Sequence, residues 1–402
     1  MKTVFTTLAV IAAAAAFAAP DFERRADVAM EKCFERCFSE KTSLLYGCPP
    51  AGVKKAAEFK DGVFDWYKGI EGGYGKGMGD CGLNHGVAMV GVMARWDTLV
   101  ARGLKPEDPE LVKTADWAHK LARGLVNLAG RHRFTGFVAR GLCEEDGKSI
   151  CSLSSVDQHT HWAHGLWLYC RAPFAKPEIV AEAKQRLAEV AARMERTVVK
   201  ESGWNFGLCD GRPDPRNICT VWGPKCFGPG AARLACIYAA AAEVTGDAHW
   251  AEKYEEYADE ACRRSALFSV LRRLDPKTKW NWPAYVMMQM NCSLDVLLGY
   301  EKDEFRLKFI RESMAQAAAE CDTRQKQAIA NPKINWYGMY APGELAISQL
   351  ISPDSPYDEA ERQSLGKALL SGNNEKWGTF QVTHAFTAYW LAARRGITPL
   401  AD

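Results

Sequence analysis

The chain has 402 residues, of which 48% are hydrophobic and 25% are charged, as expected for a globular protein with a large core. Lysine and arginine together number 51 and aspartate and glutamate 49. The charge is therefore almost balanced, and no basic run has the density that nucleic-acid binding requires. These values exclude a nucleic-acid partner from our expectations, but length alone does not separate two domains from one large α-barrel.

Residues 1–18 have the pattern of a secretory signal peptide. Lys2 supplies a short basic start, residues 4–17 are apolar and rich in alanine, and residues 16–18 read Ala-Phe-Ala, a typical cleavage motif. The apolar run is too short for a membrane span, and no later segment reaches ~18 uninterrupted apolar residues. The sequence thus predicts an exported protein, secreted or periplasmic, without a membrane span.

The 14 cysteines agree with export to an oxidising compartment. No Cys-x-x-Cys pair occurs, so the common zinc-binding spacings are missing. Candidate local disulfides join Cys143 to Cys151, and Cys209 to either Cys219 or Cys226, because these residues flank loops. The sequence does not decide among the pairings.

Beyond residue 18, helical segments come in pairs whose members differ in polarity. The first members are charged and amphipathic, which predicts outer helices with one solvated face: 22–39, 107–130, 176–201, 248–265, 302–321 and 358–371. The second members are apolar nearly all round, which predicts enclosed helices: 80–101, 155–171, 229–245, 284–299, 340–351 and 384–395. This alternation predicts an all-α fold, an (α/α)6 barrel of six hairpins, with residues 19–402 forming one domain.

The links from outer to enclosed helices are long, and loops of this length in a compact domain usually carry function: 40–79, 131–154, 202–228, 266–283, 322–339 and 372–383. All six would emerge on one face, at the N-termini of the enclosed helices. Seven of the 13 tryptophans lie in these loops: Trp66, Trp204, Trp222, Trp280, Trp282, Trp336 and Trp377. Tryptophans at one rim are suited to stacking on flat ligands, and sugar rings are the natural ligands of that kind for an exported protein.

The second enclosed helix has the most distinctive start. Ser154 or Ser155 can cap it, and Asp157, His161 and His164 are spaced i, i+4, i+7 and so share one face. Because a serine is already able to cap, we interpret Asp157 as catalytic rather than structural. The helix dipole lowers the pKa of such a carboxyl and burial raises it, so the sequence does not decide between acid and base.

A metal site at these histidines is not the favoured interpretation. His159 is two residues from His161 and therefore lies on another face, and no His-Glu-x-x-His motif occurs. We predict no metal and no cofactor.

Two further residues near this helix could take part in the chemistry. Asp80 opens the first enclosed helix, either as a cap or as a catalytic carboxylate. Arg140 precedes the helix of Asp157 in a glycine-bounded loop, where it could pair with a substrate carboxylate or form a structural salt bridge.

The starts of the later enclosed helices supply more candidates for substrate binding. Gln289 and Glu344 lie at two of these starts. Other candidate substrate-binding side chains are His85, Gln158, Trp162, Trp222, Trp282, Tyr285, Tyr340 and His384.

The six charged and apolar hairpins, the signal peptide and the tryptophan-rich loop face together resemble the six-hairpin (α/α)6-barrel glycosidases, particularly the unsaturated glucuronyl and rhamnogalacturonyl hydrolases. The resemblance covers residues 19–402 and rests on architecture. It implies that an aspartate at the mouth of an enclosed helix donates the proton, a role that Asp157 or Asp80 would take. It also implies that Arg140 and His161 lie near a uronic carboxylate and the reacting bond.

The expected function is therefore an exported glycoside hydrolase acting on uronic-acid-containing oligo- or polysaccharides. Asp157 would be the general acid, and Asp80 the base or nucleophile. The alternative is a polysaccharide lyase, in which His161 or Tyr340 removes the proton beside a uronate carboxylate neutralised by Arg140. A third class is a non-catalytic glycan-binding protein. The sugar, the linkage and the oligomeric state do not follow from the sequence.

Overall fold

The computed structural model describes residues 21–50, 62–64, 75–224, 226–267, 283–330, 342–371 and 378–400. The described part is mainly α-helical, which confirms the all-α prediction. The signal-peptide segment lies outside the described residues. No helix in the described ranges is both long enough and apolar enough to span a membrane.

Twelve α-helices occur in the described ranges. They are α1 (Phe22–Cys37), α2 (Cys81–Ala101), α3 (Pro109–Gly130), α4 (Val156–Cys170), α5 (Pro177–Thr197), α6 (Arg233–Thr245), α7 (Ala248–Ala266), α8 (Ala284–Tyr300), α9 (Glu304–Ala330), α10 (Pro342–Ile351), α11 (Glu359–Ser371) and α12 (Thr379–Arg394). Four two-residue strands accompany them: β1 (Phe38–Ser39), β2 (Leu44–Leu45), β3 (Val63–Phe64) and β4 (Ile150–Cys151). β1 pairs antiparallel with β2, and β3 pairs parallel with β4.

Burial alternates along the chain as the polarity pattern predicts. The outer helix α5 buries one stripe that includes Ile179, Ala183 and Leu187, which are spaced for a single helical face. The helix that follows it, α6, buries all but two of its 13 residues. Helices with one wet face thus alternate with helices that protein surrounds.

The packing partners follow the same order. Each even-numbered helix packs against the next even-numbered one, from α2 through α12, and α12 packs against α2. Neighbouring odd-numbered helices are joined by ion pairs. Lys113 of α3 lies 3.0 Å from Glu31 of α1, and Arg123 of α3 lies 2.6 Å from Glu182 of α5.

A buried polar network joins the first helices to the last. The Arg95 guanidinium of α2 is 1% exposed and lies 2.7 Å from the Asp27 carboxylate of α1. The Trp390 indole of α12 donates to the same carboxylate at 3.0 Å, and its ring centroid lies 5.1 Å from the guanidinium carbon. Burial raises the pKa of Asp27, and hydrogen bonds from Arg95 oppose that shift. Removing one partner of such a buried pair typically costs about 3–5 kcal/mol.

We therefore expect that deleting residues from Asp358 onward abolishes soluble folding. The deletion removes Trp390 and the whole of α12. Water would then reach the Asp27–Arg95 pair and the apolar face of α2 that packs against α12. Soluble yield and circular dichroism of the truncated chain measure this. An independently stable, cooperatively unfolding fragment that ends near residue 330 would contradict it.

Two predicted helix boundaries were wrong by five residues or more. α9 continues to Ala330 rather than ending near residue 321, because ion pairs spaced i, i+4 along the helix support the extra turns. One of these pairs joins Lys326 to Asp322 at 2.6 Å. α12 begins at Thr379 rather than at residue 384, with Gly378 in the N-cap position.

The cysteines also differ from the sequence expectation. All 14 are free thiols in the structure, and the candidate disulfide partners are among them. Most are buried, and burial raises the pKa of several of these thiols, for example that of Cys236 to about 12.

Candidate active site

The start of α4 presents Asp157 to the interior rather than using it as a cap. The helix begins at Val156, directly after the predicted serines, but the Ser155 side chain makes no capping hydrogen bond. The hydroxyls of Ser154 and Ser155 are buried without a partner among the described residues. The predicted helix start is thus confirmed, whereas the predicted serine cap was wrong.

Asp157 forms an ion pair that crosses to the next even-numbered helices. Its Oδ1 lies 3.0 Å from Nη1 of Arg233, the first residue of α6. The same guanidinium donates through Nη2 to Oε1 of Gln289 on α8 at 2.7 Å. Arg233 is buried, whereas the Asp157 side chain is 29% exposed. The carboxylate is therefore fixed by a buried cation and still accessible from the mouth of the site.

Glu344 supplies a second carboxyl group, near enough to Asp157 to feel its charge. It lies in the first turn of α10 and is buried, and its Oε2 has no hydrogen-bond partner in the described structure. Burial raises the pKa of Glu344 to about 8, with a further contribution from the negative charge of Asp157. Burial thus favours the neutral, protonated form of Glu344 at neutral pH.

Two buried histidines complete this group. The Nδ1 of His384 lies 2.6 Å from the Phe380 carbonyl oxygen, which can only accept, so Nδ1 carries the proton and Nε2 is a free acceptor. Neither ring nitrogen of His161 has a partner in the described ranges. Burial holds the pKa of His161 well below its ordinary value, and the neighbouring His164, His384 and Arg233 lower it further. Both rings are therefore neutral at neutral pH.

A glycine sets the position of His161. A Cβ atom added to Gly86 of α2 would lie 2.2 Å from the His161 carbonyl oxygen. Any side chain at residue 86 would therefore push α2 and α4 apart. Gly343 acts similarly beside His384, whose Cβ would lie 2.6 Å from the added atom. Close backbone contact thus brings α2, α4, α10 and α12 together around these groups.

The other histidines of α4 have different surroundings. The imidazole of His164 donates from Nε2 to the Asp295 carboxylate of α8 at 2.9 Å. His159 packs against Phe206, with ring centroids 4.2 Å apart, and its Nδ1 donates to the Ser155 carbonyl. As the spacing predicts, His159 lies on another face from His161.

A second polar group lies at the neighbouring mouth of α2. The Asp80 carboxylate, 53% exposed, accepts from Nη2 of Arg140 at 2.7 Å and from the Gln158 amide at 3.0 Å. Arg140 also donates from Nε to the Gly79 carbonyl at 2.7 Å. Asp80 makes no side-chain cap of α2. The structure thus brings together Asp80, Arg140 and Gln158. Gln158 directly follows Asp157 in the sequence, so this group adjoins the start of α4.

His85 and Trp162, two predicted substrate-binding residues, have their polar atoms occupied by the backbone. His85 accepts from the Leu45 amide at 2.7 Å and donates to the Leu121 carbonyl at 2.9 Å, so both ring nitrogens are used. The Trp162 indole donates to the Leu125 carbonyl at 2.7 Å in the core. In this conformation both side chains are scaffold.

Trp222 is covered rather than open to a ligand. Its ring meets Tyr257 edge-on with centroids 5.0 Å apart, and the Arg264 guanidinium lies 5.1 Å from its centroid. Both partners belong to the outer helix α7. Tyr285 lies partly buried in the first turn of α8. Trp282 and Tyr340 lie outside the described residues, as do the loop tryptophans Trp66, Trp280, Trp336 and Trp377.

The histidines of α4 do not gather ligand atoms closely enough to share an ion. In the described part of the chain, three potential ligand atoms lie within 4.8 Å of one another only at Asp322, Asp358 and Glu361. There the Lys326 ammonium lies 2.6 Å from Asp322 and 2.7 Å from Asp358. Lys326 therefore connects α9 to the start of α11 through ion pairs with these carboxylates.

The buried ionisable groups predict that stability falls as pH falls below 6.5. Burial lowers the pKa of His85, His159 and His384 from 6.5 to about 4. Between these two pKa values only the unfolded chain binds these protons, so the free energy of unfolding falls as pH falls. Burial raises the pKa of Glu344 and Glu361 from 4.5 to about 8 and about 7, so stability also falls as pH rises through that range.

Below pH 6.5 four histidines outweigh the two glutamates, because the pKa of His132 is also lowered to about 4 by burial. Above pH 6.5 the pKa of Cys37, lowered to about 6 by a hydrogen bond from Cys33, opposes the two glutamates, since only the unfolded chain keeps that proton. Each unbalanced proton changes the free energy of unfolding by about 1.4 kcal/mol per pH unit. Melting temperature measured across the pH range checks this expectation. A melting temperature that stays constant or rises as pH falls from 6.5 to 4.5 would contradict it.

No family model matches the chain, and comparisons with curated proteins and with solved structures found no match either. The chemistry of the site therefore carries the functional proposal.

Arg233 is the residue of this site that sequence reasoning missed. It is the first residue of α6, whose one other charged residue, Glu243, lies near the opposite end, and an arginine at the start of an enclosed helix needs a buried anion. That signal was present in the sequence. The identity of its partner was not, because Asp157 and Arg233 are 76 positions apart.

Proposed function

We propose that the protein is an exported glycoside hydrolase on a six-hairpin (α/α)6 barrel, with uronic-acid-containing oligo- or polysaccharides as its substrates. The cyclic packing order of the even-numbered helices supports the barrel. The pattern of residues 1–18 supports export. The glycosidase proposal is supported by the site itself, where five of the six even-numbered helices supply Asp157, Arg233, Gln289, Glu344 and His384.

One observation carries the reaction type: a buried carboxyl group with a raised pKa lies near enough to an arginine-paired carboxylate to feel its charge. Glu344 is neutral because burial raises its pKa to about 8, whereas Asp157 is ion-paired with Arg233 at 3.0 Å. Glycoside hydrolysis needs this division of labour, with one acid to protonate the leaving oxygen and one carboxylate to act as base or nucleophile.

This assignment changes the role expected from the sequence. Glu344 is the proton donor, and Asp157 is the carboxylate that activates water or attacks the anomeric carbon. The Arg233 guanidinium and the Gln289 amide orient Asp157. Asp80, bonded to Arg140 and Gln158, lies in the adjoining group and takes no part in proton transfer.

A substrate panel tests the proposal. Uronate-containing oligosaccharides are incubated with the protein while new reducing ends and the absorbance of unsaturated uronates are followed. Hydrolysis is expected to give new reducing ends without a rise in that absorbance. A rise would indicate a lyase, which would remove a proton beside the uronate instead. Binding without any turnover would indicate a glycan-binding protein.

Arg140 is proposed to recognise a substrate carboxylate at the mouth of the site. The Arg140→Lys variant keeps the charge but loses the planar guanidinium, so uronate substrates should lose roughly 1–3 kcal/mol of transition-state stabilisation. The ratio of kcat/KM between wild type and variant measures this on matched uronate and neutral substrates. Equal losses on both would rule out carboxylate recognition and leave Arg140 as the structural partner of Asp80.

A further inference from the structure

The buried end of the site contains polar atoms that have no hydrogen-bond partner among the described residues. In the described part of the chain, no partner is found for Nε2 of Gln289, Oε2 of Glu344, Nε2 of His384 or either ring nitrogen of His161. All four side chains are almost completely buried. A buried donor or acceptor without a partner typically costs about 1–3 kcal/mol. Four such residues in one group indicate that a bound molecule supplies the missing bonds.

These residues belong to one locality, although they come from four different helices. His161 is close enough to His384 and Arg233 for their charges to affect its protonation. Arg233 in turn bonds to Gln289. Glu344 is next to Gly343, which packs against His384, and Glu344 is close enough to Asp157 to feel its charge.

The charge of this locality is close to zero. The imidazoles of His161 and His384 are neutral, because burial lowers both pKa values. The Glu344 carboxyl is neutral as well. Arg233 is a cation near this group, and Asp157 and Gln289 accept hydrogen bonds from its guanidinium. A ligand carboxylate here would lack a counter-charge.

The hydrogen-bonding pattern also disfavours a carboxylate. His384 offers an acceptor at Nε2, since its Nδ1 proton is given to the Phe380 carbonyl. Gln289 offers a donor, and a neutral His161 ring offers one donor and one acceptor. Hydroxyl groups both donate and accept, so they satisfy this mixture. A carboxylate only accepts and would face the His384 acceptor unpaired.

We propose that the buried end of the site binds an uncharged sugar ring, through hydroxyl groups paired with His161, Gln289 and His384. The inference rests on the proposed glycosidase function and sharpens it. A uronate of the substrate lies at the mouth beside Arg140, and a neutral sugar lies in the interior. The bond that is cleaved joins the neutral sugar to the next unit.

Binding measurements separate this inference from the question of turnover. In the full-length Glu344→Gln variant, calorimetry compares the methyl glycosides of glucose, galactose and mannose with those of the corresponding uronic acids. We expect at least one neutral glycoside to bind at least about tenfold more tightly than its uronate, the effect of one missing or mismatched hydrogen bond. Tighter binding of the uronates, or no binding of any glycoside, would overturn the inference.

The chain offers a matched pair of histidine variants. His384→Asn keeps a donor for the Phe380 carbonyl but removes Nε2, so affinity for the neutral glycoside should fall about tenfold. His159→Asn is the control. The Nδ1 of His159 also donates to a carbonyl one turn earlier in its helix, but the His159 ring packs against Phe206. That variant should bind normally, and equal losses in both variants would refute the assigned contact.

Turnover of wild type on oligosaccharides is assayed separately. Hydrolysis combined with preferred uronate binding would reject the neutral subsite and retain the glycosidase. Neutral-sugar binding without hydrolysis of any substrate would reject the glycosidase and show a sugar site of another function.

Discussion

The Glu344→Gln variant is expected to lose turnover by ~10²–10⁴-fold, because proton transfer by a positioned side chain contributes a factor of that size. Glutamine has the same shape as the neutral carboxyl and can donate a hydrogen bond, but it cannot release a proton. The folded state should therefore be retained. Steady-state kinetics beside melting temperature measures both effects.

The pH dependence of stability gives an independent control for this variant. In wild type, the raised pKa of Glu344 means that its ionisation destabilises the fold as pH rises towards about 8. Glutamine removes this ionisation, so the variant should be more stable than wild type at alkaline pH. A variant that is both inactive and destabilised at alkaline pH would argue for a structural role instead.

Glu361 provides the matched comparison. It is also a buried glutamate, and burial raises its pKa to about 7. It lies on the outer helix α11, where it accepts hydrogen bonds from Gln349 and from the Asp358 amide. Glu361→Gln is expected to change stability and leave turnover normal. Lost turnover in this variant would show that burial, rather than position, explains the effect at Glu344.

The Asp157→Asn variant is likewise expected to lose ~10²–10⁴-fold in turnover. Here the structure adds a cost that the helix pattern alone does not predict. Arg233 is buried, and neutralising Asp157 leaves it without an anion. Removing one partner of a buried pair typically costs about 3–5 kcal/mol, although Asp157 is partly exposed and water compensates part of that loss. A lower melting temperature should accompany the lost activity.

A second substitution separates the two effects. In the Asp157→Asn/Arg233→Met double variant both charges are gone, so the melting temperature should recover relative to the single variant. Turnover should not recover, since the reacting carboxylate is still missing. Restored turnover would show that Asp157 acts only by neutralising Arg233.

The all-α fold and the alternation of helix polarity could be predicted because they depend on local patterns. Helix polarity along the sequence determines which face is wet, and the alternation of α5 with α6 confirms that prediction. Helix ends were harder, as the extension of α9 through Lys326 shows.

The site could be predicted only as a set of candidate residues. Spacing identified the face of α4 that carries Asp157 and His161, and position identified Glu344 at a helix start. The pairing of Asp157 with Arg233, and the occupation of Arg140 by Asp80, depend on helix packing over long sequence separations. The raised pKa of Glu344 likewise depends on how deeply the side chain is buried, which the sequence alone does not give.

One measurement tests the central claim that Glu344 protonates the departing oxygen. The loss in kcat/KM caused by Glu344→Gln is compared between a glycoside with an alkyl leaving group and one with a dinitrophenyl leaving group. The dinitrophenolate departs without a proton, so its loss should be less than about tenfold, whereas the alkyl glycoside should lose ~10²–10⁴-fold. Equal losses on the two substrates would contradict the assignment of Glu344 as the general acid.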